Sequence, residues 1–341
     1  MKDINIFKGR DGKRFDLICL GRVAVDFNPT DYNRPLYEST TFKKYLGGSP
    51  ANIAVGFARL GGKVGFFARV SDDQLGEFVV RYFENDGIDT SRIRRCTEGE
   101  KIGLTFTEIL SPSESSILMY RNGAADLSLC PDDIDEEYIA SARVLLISGT
   151  ALCESPSREA ALKALALARK NGVGVVFDID YRPYNWKSTD EITVYYSAVA
   201  AEADIILGSR EEFDLTERFT GLDGTDEASA AYWQSKGARM LIIKHGKEGS
   251  SAFCAGGSRY KVLPMPIRKL KGFGGGDGYA SAFLYSLCTG KDIPYALEFG
   301  AASASLLVAA HACSEAMPTV GQVEDYLKSI HTGNEEYVVK F

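Results

Sequence analysis

Hydrophobic positions in this chain come mostly in short unbroken runs. They occupy residues 15–21, 63–70, 144–148, 173–178, 203–208 and 240–244, and β-branched residues are frequent in them. Such runs suit strands buried on both faces, as in a parallel sheet. Stretches of helical period lie between them, at 50–60, 76–85 and 157–171; the first carries a small-residue face of Ala51, Ala54 and Ala58. Strand–helix alternation predicts an α/β fold, a doubly wound, mostly parallel sheet flanked by helices. Ligands are then expected at the carboxyl ends of the strands.

Two segments, 28–46 and 101–122, break the pattern. The first is polar and aromatic. In the second, 102–109 and 116–121 alternate as an antiparallel hairpin would, joined by a turn at 111–114. Both are inserted between α/β units, and the expectation is one domain over 1–341 in which they pair as a small separate β-sheet. Set over the strand ends, that sheet would be a lid excluding water from the reaction; the plainer alternative is an edge hairpin.

Composition narrows the class. The 341 residues are 45% hydrophobic and 25% charged, those of a soluble globular protein with ample core. A net charge of −7 and the absence of a long basic run argue against nucleic acid and anionic membrane as partners. The chain has no N-terminal apolar signal segment and no apolar run of ~18 residues. The seven cysteines are scattered without a C-x-x-C pair, which suits reduced core cysteines and a cytoplasmic location. Three histidines without H-x-x-x-H argue against a transition-metal site but leave room for a hard cation held by carboxylates and phosphate.

The chemistry concentrates in residues 271–278. Gly274, Gly275 and Gly276 deliver Asp277 to the start of an apolar helix over 279–287. Glycines let successive N–H groups point at an anion, and the helix start adds unpaired donors and a positive dipole end. A carboxylate among those donors can take a proton from a hydroxyl while an oxyanion is held nearby, which is an arrangement for phosphoryl transfer. The alternative is an ordinary N-cap aspartate. No G-x-x-x-x-G-K-[ST] occurs, and the run lacks the G-x-G-x-x-[GA] spacing, so neither a Walker loop nor a Rossmann dinucleotide turn is present.

These residues do not stand alone. Residues 47–52 (G-G-S-P-A-N) resemble the N-terminal signature of the ribokinase-like (PfkB) carbohydrate kinases, and Gly274 to Asp277 resembles their second signature. Between them, residues 69–76, 178–183, 209–212 and 245–250 resemble further family motifs in the same order, from about residue 15 to 330. The resemblance implies an ATP-dependent kinase with Asp277 as base and the backbone N–H groups of Gly274, Gly275 and Gly276 as an anion hole for the γ-phosphoryl group. It places Asp26, Gly47, Gly48 and Asn52 on the sugar. Lys244, Gly246, Gly249, Lys271 and Ser305 fall to the nucleotide, and Glu212 to Mg²⁺ through water. Residues 301–308 suit a purine wall or a core helix equally.

Departures from the common pattern point to the acceptor. Arg121 and Arg182 offer guanidinium geometry suited to a carboxylate, although surface ion pairs are the commoner fate of arginine. With residues 177–183, 208–213 and 316–319 they resemble the family branch acting on small sugar acids, which implies 5-dehydro-2-deoxy-D-gluconate phosphorylated to its 6-phosphate in myo-inositol breakdown. 2-Keto-3-deoxygluconate or fructose are the alternatives within the class; a nucleoside kinase and a non-catalytic sugar-binding protein are alternatives outside it. Lys271 stands where many relatives have Asp beside a monovalent cation. A buried ammonium there would remove any requirement for K⁺, whereas a lysine continuing Arg268 and Lys269 would be solvated. Ser209 replaces the usual Asn of the metal motif. A homodimer through the lid is permitted by the apolar alternation of 102–109.

Overall fold

The computed structural model describes residues 4–31, 33–111, 114–333 and 336–341. Among these, ten strands form one sheet. Its spatial order is Val338–Lys340, Arg259–Val262, Ser250–Cys254, Met240–Lys244, Ile205–Ser209, Gly174–Asp178, Ala142–Ser148, Phe15–Leu20, Val64–Val70 and Ile93–Arg95. Every pairing from Met240–Lys244 to Ile93–Arg95 is parallel, and the strands beyond Met240–Lys244 are antiparallel. The six predicted runs fall on the parallel strands. Helices Ser49–Arg59, Gln74–Asn85 and Ser157–Lys170 fill the predicted helical stretches.

The unbroken runs have a direct cause. Leu17, Cys19, Val144, Leu146 and Val176 belong to the core on one face of the sheet, and Ile18, Leu20, Leu145, Ile147 and Phe177 to the core on the other. Neither face reaches water through the middle of these strands, so polar side chains such as Asp16, Ser148 and Asp178 fall at or near their ends.

The two irregular segments form a second sheet, ordered Phe42–Gly47, Ala24–Pro29, Gly103–Ser111 and Glu114–Tyr120. It differs from expectation in two ways. Its first strand begins at Ala24, before the expected boundary at 28, because Gly21, with φ 150°, lets the chain leave the main sheet at once. A Cβ at Gly21 would lie 2.9 Å from Pro50 Cγ. The sheet is also mixed: Ala24–Pro29 runs antiparallel to Phe42–Gly47 but parallel to Gly103–Ser111. Of the expected turn at 111–114, residues 112–113 lie outside the described residues.

Alternation in Gly103–Ser111 turns Thr105, Thr107 and Ile109 inward. Phe106, on the opposite face, stacks on Phe27 at 5.3 Å and meets Phe42 and Tyr120 edge-on. The small sheet is anchored at the carboxyl end of the main one. The Tyr184 hydroxyl donates to the Ile117 carbonyl at 2.9 Å, and Asn28 Nδ2 donates to the His311 carbonyl at 2.8 Å. His311 Nε2 donates to the Pro29 carbonyl at 2.8 Å, and its Nδ1 is hydrogen-bonded to the Tyr45 hydroxyl at 2.8 Å.

Candidate active site

Two glycine-capped helix starts meet beneath the small sheet. Gly48, with φ 101°, caps Ser49–Arg59, and a Cβ there would lie 2.3 Å from the Arg22 carbonyl. A Cβ at Gly47 would lie 1.9 Å from Asp26 Oδ1, so the Asp26 carboxyl group rests directly on backbone. Gly274, with φ 87°, caps Gly275–Cys288. Asp277 is therefore not the N-cap of its helix. Its carboxylate turns toward the other helix and accepts from Ser49 Oγ at 2.7 Å and Asn52 Nδ2 at 2.8 Å. Gly275 and Gly276 occupy the first turn, where N–H groups have no intrahelical acceptor. Asn52 is buried, and its Oδ1 has no partner; neither has Asp26 Oδ1. Two buried oxygens are thus left to accept from hydroxyls.

The end of the strand Gly174–Asp178 and the residues just after it supply two more acids, Asp178 and Asp180. Ser49 Oγ lies 3.2 Å from Asp178 Oδ2 as well as bonding Asp277. One hydroxyl proton cannot serve both. Burial, reinforced by Asp180, Glu212 and Asp277 against Lys244, pushes Asp178 up to about 8. Asp180 sits at a positive φ of 38° and pairs with Arg182 Nη2 at 2.7 Å. Burial pushes it up to about 6 against the pull of Arg182, with Asp277 and Glu212 adding to the rise. Asp277 is likewise raised by burial, against the bonds from Asn52 and Ser49 and the charges of Arg182 and Lys244. Arg182 also donates to the Tyr181 carbonyl at 2.7 Å and keeps about a third of its side chain exposed, at 34%.

Lys244 ends its strand against this cluster. Burial opposes its charge, but Asp178, Glu212, Asp180 and Asp277 outweigh it and hold the proton above the usual lysine range. Its Nζ would lie 3.3 Å from a Cβ at Gly276, so ammonium and anion-facing turn are adjacent. Glu212 accepts from the Tyr181 N–H at 2.8 Å and the Ser209 N–H at 2.6 Å, while Ser209 Oγ accepts from the Glu212 N–H. Ser209 thus serves as the N-cap of Arg210–Glu217. Among the described residues no three His, Cys, Asp or Glu side chains converge tightly enough to hold a metal directly. Each Glu212 carboxylate oxygen accepts one backbone N–H and keeps a further lone pair, which suits a bond to a metal-bound water.

Lys271 is fully buried and not solvated. It donates to the Ala312 carbonyl at 2.7 Å and Cys313 Sγ at 3.1 Å, with the Phe273 ring centroid 4.8 Å away. A Cβ at Gly274 would lie 2.5 Å from Cys313 Sγ and 3.6 Å from Lys271 Nζ, which sets the ammonium directly behind the turn. The small sheet reaches the same loop, since a Cβ at Gly272 would lie 3.1 Å from Ser115 Oγ.

The remaining expected residues have structural contacts of their own. Gly246 and Gly249, with φ 58° and 89°, shape the turn between Met240–Lys244 and Ser250–Cys254; a Cβ at Gly249 would lie 2.0 Å from the Val262 carbonyl. The Ser305 hydroxyl bonds the Ala301 carbonyl of its own helix at 2.9 Å. Arg121 departs from the expected carboxylate anchor. Its buried guanidinium pairs with Asp126 at 2.6 Å and donates to the Thr150 carbonyl at 2.8 Å, because the chain folds Asp126 back onto it in the turn Ala125–Ser128. Ser49 was not expected. A serine before Pro50 at a helix start reads as capping, and only the fold brings Asp277 to it.

A model of the pfkB family carbohydrate kinases matches residues 14–320. The 5-dehydro-2-deoxygluconokinase of Clostridium perfringens is 60% identical over 325 residues, covering 95% of each chain. A PfkB protein from Polaromonas superposes with a TM-score of 0.78 at 27% identity, covering 91% of this chain and 99% of that one. A ribokinase II from E. coli, solved in complex with ATP and Mg²⁺, superposes at 0.84 with 22% identity, covering 92% and 99%. With the match running through both glycine turns and the strands between them, the chain belongs to the pfkB family of carbohydrate kinases.

Proposed function

We propose that this kinase transfers the γ-phosphoryl group of ATP to the 6-hydroxyl of 5-dehydro-2-deoxy-D-gluconate, a step of myo-inositol breakdown in the cytoplasm. The observation that carries this reading is the Asp277 carboxylate, fixed by Ser49 and Asn52 one turn inside a glycine-capped helix. The acceptor hydroxyl lies against Asp277 and loses its proton to it as the oxygen bonds to phosphorus and the bond to the β-phosphate oxygen breaks. Charge spreading over the phosphoryl oxygens meets the N–H groups of Gly274, Gly275 and Gly276 and the Lys244 ammonium. Mg²⁺, held through water near Glu212, would neutralise the phosphate oxygens when bound.

The unpartnered oxygens of Asp26 and Asn52, with the Gly47–Gly48 backbone, suit sugar hydroxyls, and Arg182 suits the acid group. Gly246, Gly249 and Ser305 fall to the nucleotide side, and the small sheet acts as the lid. Its outward face, where Leu118 and Tyr120 are 42% and 62% exposed, is the surface through which two copies would pair. Lys271, buried behind the turn, supplies the charge that a monovalent cation would otherwise bring. Equal rates in sodium, potassium and a bulky organic cation are expected, and strong K⁺ activation would remove this part of the reading.

ADP release measured with sugar acids, ketoses and nucleosides tests the whole. Turnover is expected to be greatest with 5-dehydro-2-deoxygluconate. A preference for 2-keto-3-deoxygluconate, fructose or a nucleoside reassigns the acceptor, and no ADP release with any of them refutes the kinase mechanism.

A further inference from the structure

Arg22 connects the strand Phe15–Leu20 to the small sheet, and its side chain is only 4% exposed. Buried arginines elsewhere in the chain have carboxylate partners: Arg121 has Asp126 at 2.6 Å and Arg158 has Glu191 at 2.9 Å. Arg22 has no carboxylate within ion-pair distance among the described residues. Its one side-chain bond runs from Nη2 to Thr105 Oγ1 at 2.5 Å, on the inward face of the small sheet, and its Nε has no partner. Burial accordingly pulls its proton affinity down, with Asp26 as the nearest acid opposing that and Arg121 and Arg182 adding to it. Asp26 is itself pushed up by burial, against Arg22 and the Thr105 hydroxyl, and does not close an ion pair. A buried guanidinium without a counter-charge is expensive to keep.

The position of this charge gives it a use. The Arg22 carbonyl is the atom that Gly48 packs against, at the foot of the helix whose Ser49 and Asn52 hold Asp277. The side chain bonds Thr105, the residue in register with Asp26 across the small sheet, and Asp26 and Arg182 are among the charges acting on it. We propose that Arg22 is a specificity-determining residue whose guanidinium binds the carboxylate of the sugar acid, alongside Arg182, and selects acids over neutral ketoses. The inference rests on the functional reading above and adds the residue that supplies the missing charge complement.

Steady-state kinetics of the wild type, Arg22→Gln and Arg22→Lys with 5-dehydro-2-deoxygluconate and with fructose test it. Arg22→Gln is expected to raise KM for the acid by about 10- to 100-fold, the value of a charge-assisted hydrogen-bond pair, with a much smaller change in kcat. The preference for acid over fructose should shrink by the same factor, and Arg22→Lys should restore part of it. A wild type that phosphorylates no sugar acid overturns both readings. A wild type active on the acid, with discrimination intact in Arg22→Gln, overturns this one alone. If neither variant folds, a crystal structure of the wild type with the acid decides: carboxylate oxygens on the Arg22 guanidinium support the assignment, and a carboxylate held elsewhere refutes it.

Discussion

The turns at Gly48 and Gly274 are built alike and do different work. Each places a glycine of positive φ before a helix whose N-cap has no side chain. At Gly48 the missing Cβ is needed because a backbone carbonyl stands 2.3 Å from its place, and the turn serves as a clasp that aims Ser49 and Asn52. At Gly274 the nearest atom is a side-chain sulfur, Cys313 Sγ, and in the first turn beyond it Lys244 Nζ stands 3.3 Å from where a Cβ at Gly276 would lie. One glycine turn packs against backbone; the other packs against a side chain and, in the proposed mechanism, offers its donors to the phosphoryl group. Sequence alone does not separate them, because the steric need differs only in what stands opposite.

Substitutions can break or sharpen this contrast. The largest effect is expected from Asp277→Asn, which keeps the shape of the second turn but removes the base: kcat should fall by ~10²–10⁴ with the thermal midpoint nearly unchanged. Turnover near wild type would refute the assignment. Gly274→Ala should lower kcat by ~10², because a small displacement of the N–H groups misaligns the transferring group, while KM for the acceptor moves less. Gly48→Ala should act mainly on folding and lower the unfolding free energy by at least about 1–2 kcal/mol from the forced positive φ alone. Denaturant titration measures it, and a Gly48→Ala protein of full stability with lost kcat would make the two turns equivalent. The smallest effect is a displaced pH profile. Asp277 must be ionised to accept a proton, so kcat/KM should fall on the acid side with a limb above the ordinary aspartate value of 3.8. Asn52→Ala, which deletes a bond favouring the ionised form, should move that limb to higher pH.

The parallel strands were legible because burial on both faces leaves an unmistakable run of apolar residues. The strand Ala24–Pro29 was less so. Its first residues continue the apolar character of Phe15–Leu20, and only the backbone angle at Gly21 separates them. Within the site, the expectation for Asp277 and its glycines came from a local motif, which the fold places at the start of Gly275–Cys288. Arg121 was misread for the opposite reason. Its character depends on Asp126, five residues on, and the turn that brings the two together leaves no periodic trace. The bonds of Ser49 to Asp277 and of Arg22 to Thr105 could not be read, because the partners lie 228 and 83 residues away in sequence.

The segment from His311 to Ser314 carries a consequence for genetics. His311 bonds both Asn28 and Tyr45 of the small sheet, Ala312 and Cys313 hold the Lys271 ammonium, and the Ser314 hydroxyl donates to the Leu46 carbonyl at 2.8 Å. A handful of consecutive residues is thus mortared into two walls at once. Substitutions there will combine non-additively with changes in either wall, since contacts that share a partner do not contribute independently. A screen scoring acceptor affinity and phosphoryl-transfer rate separately should find its strongest epistasis in this short stretch, away from the residues that touch either substrate.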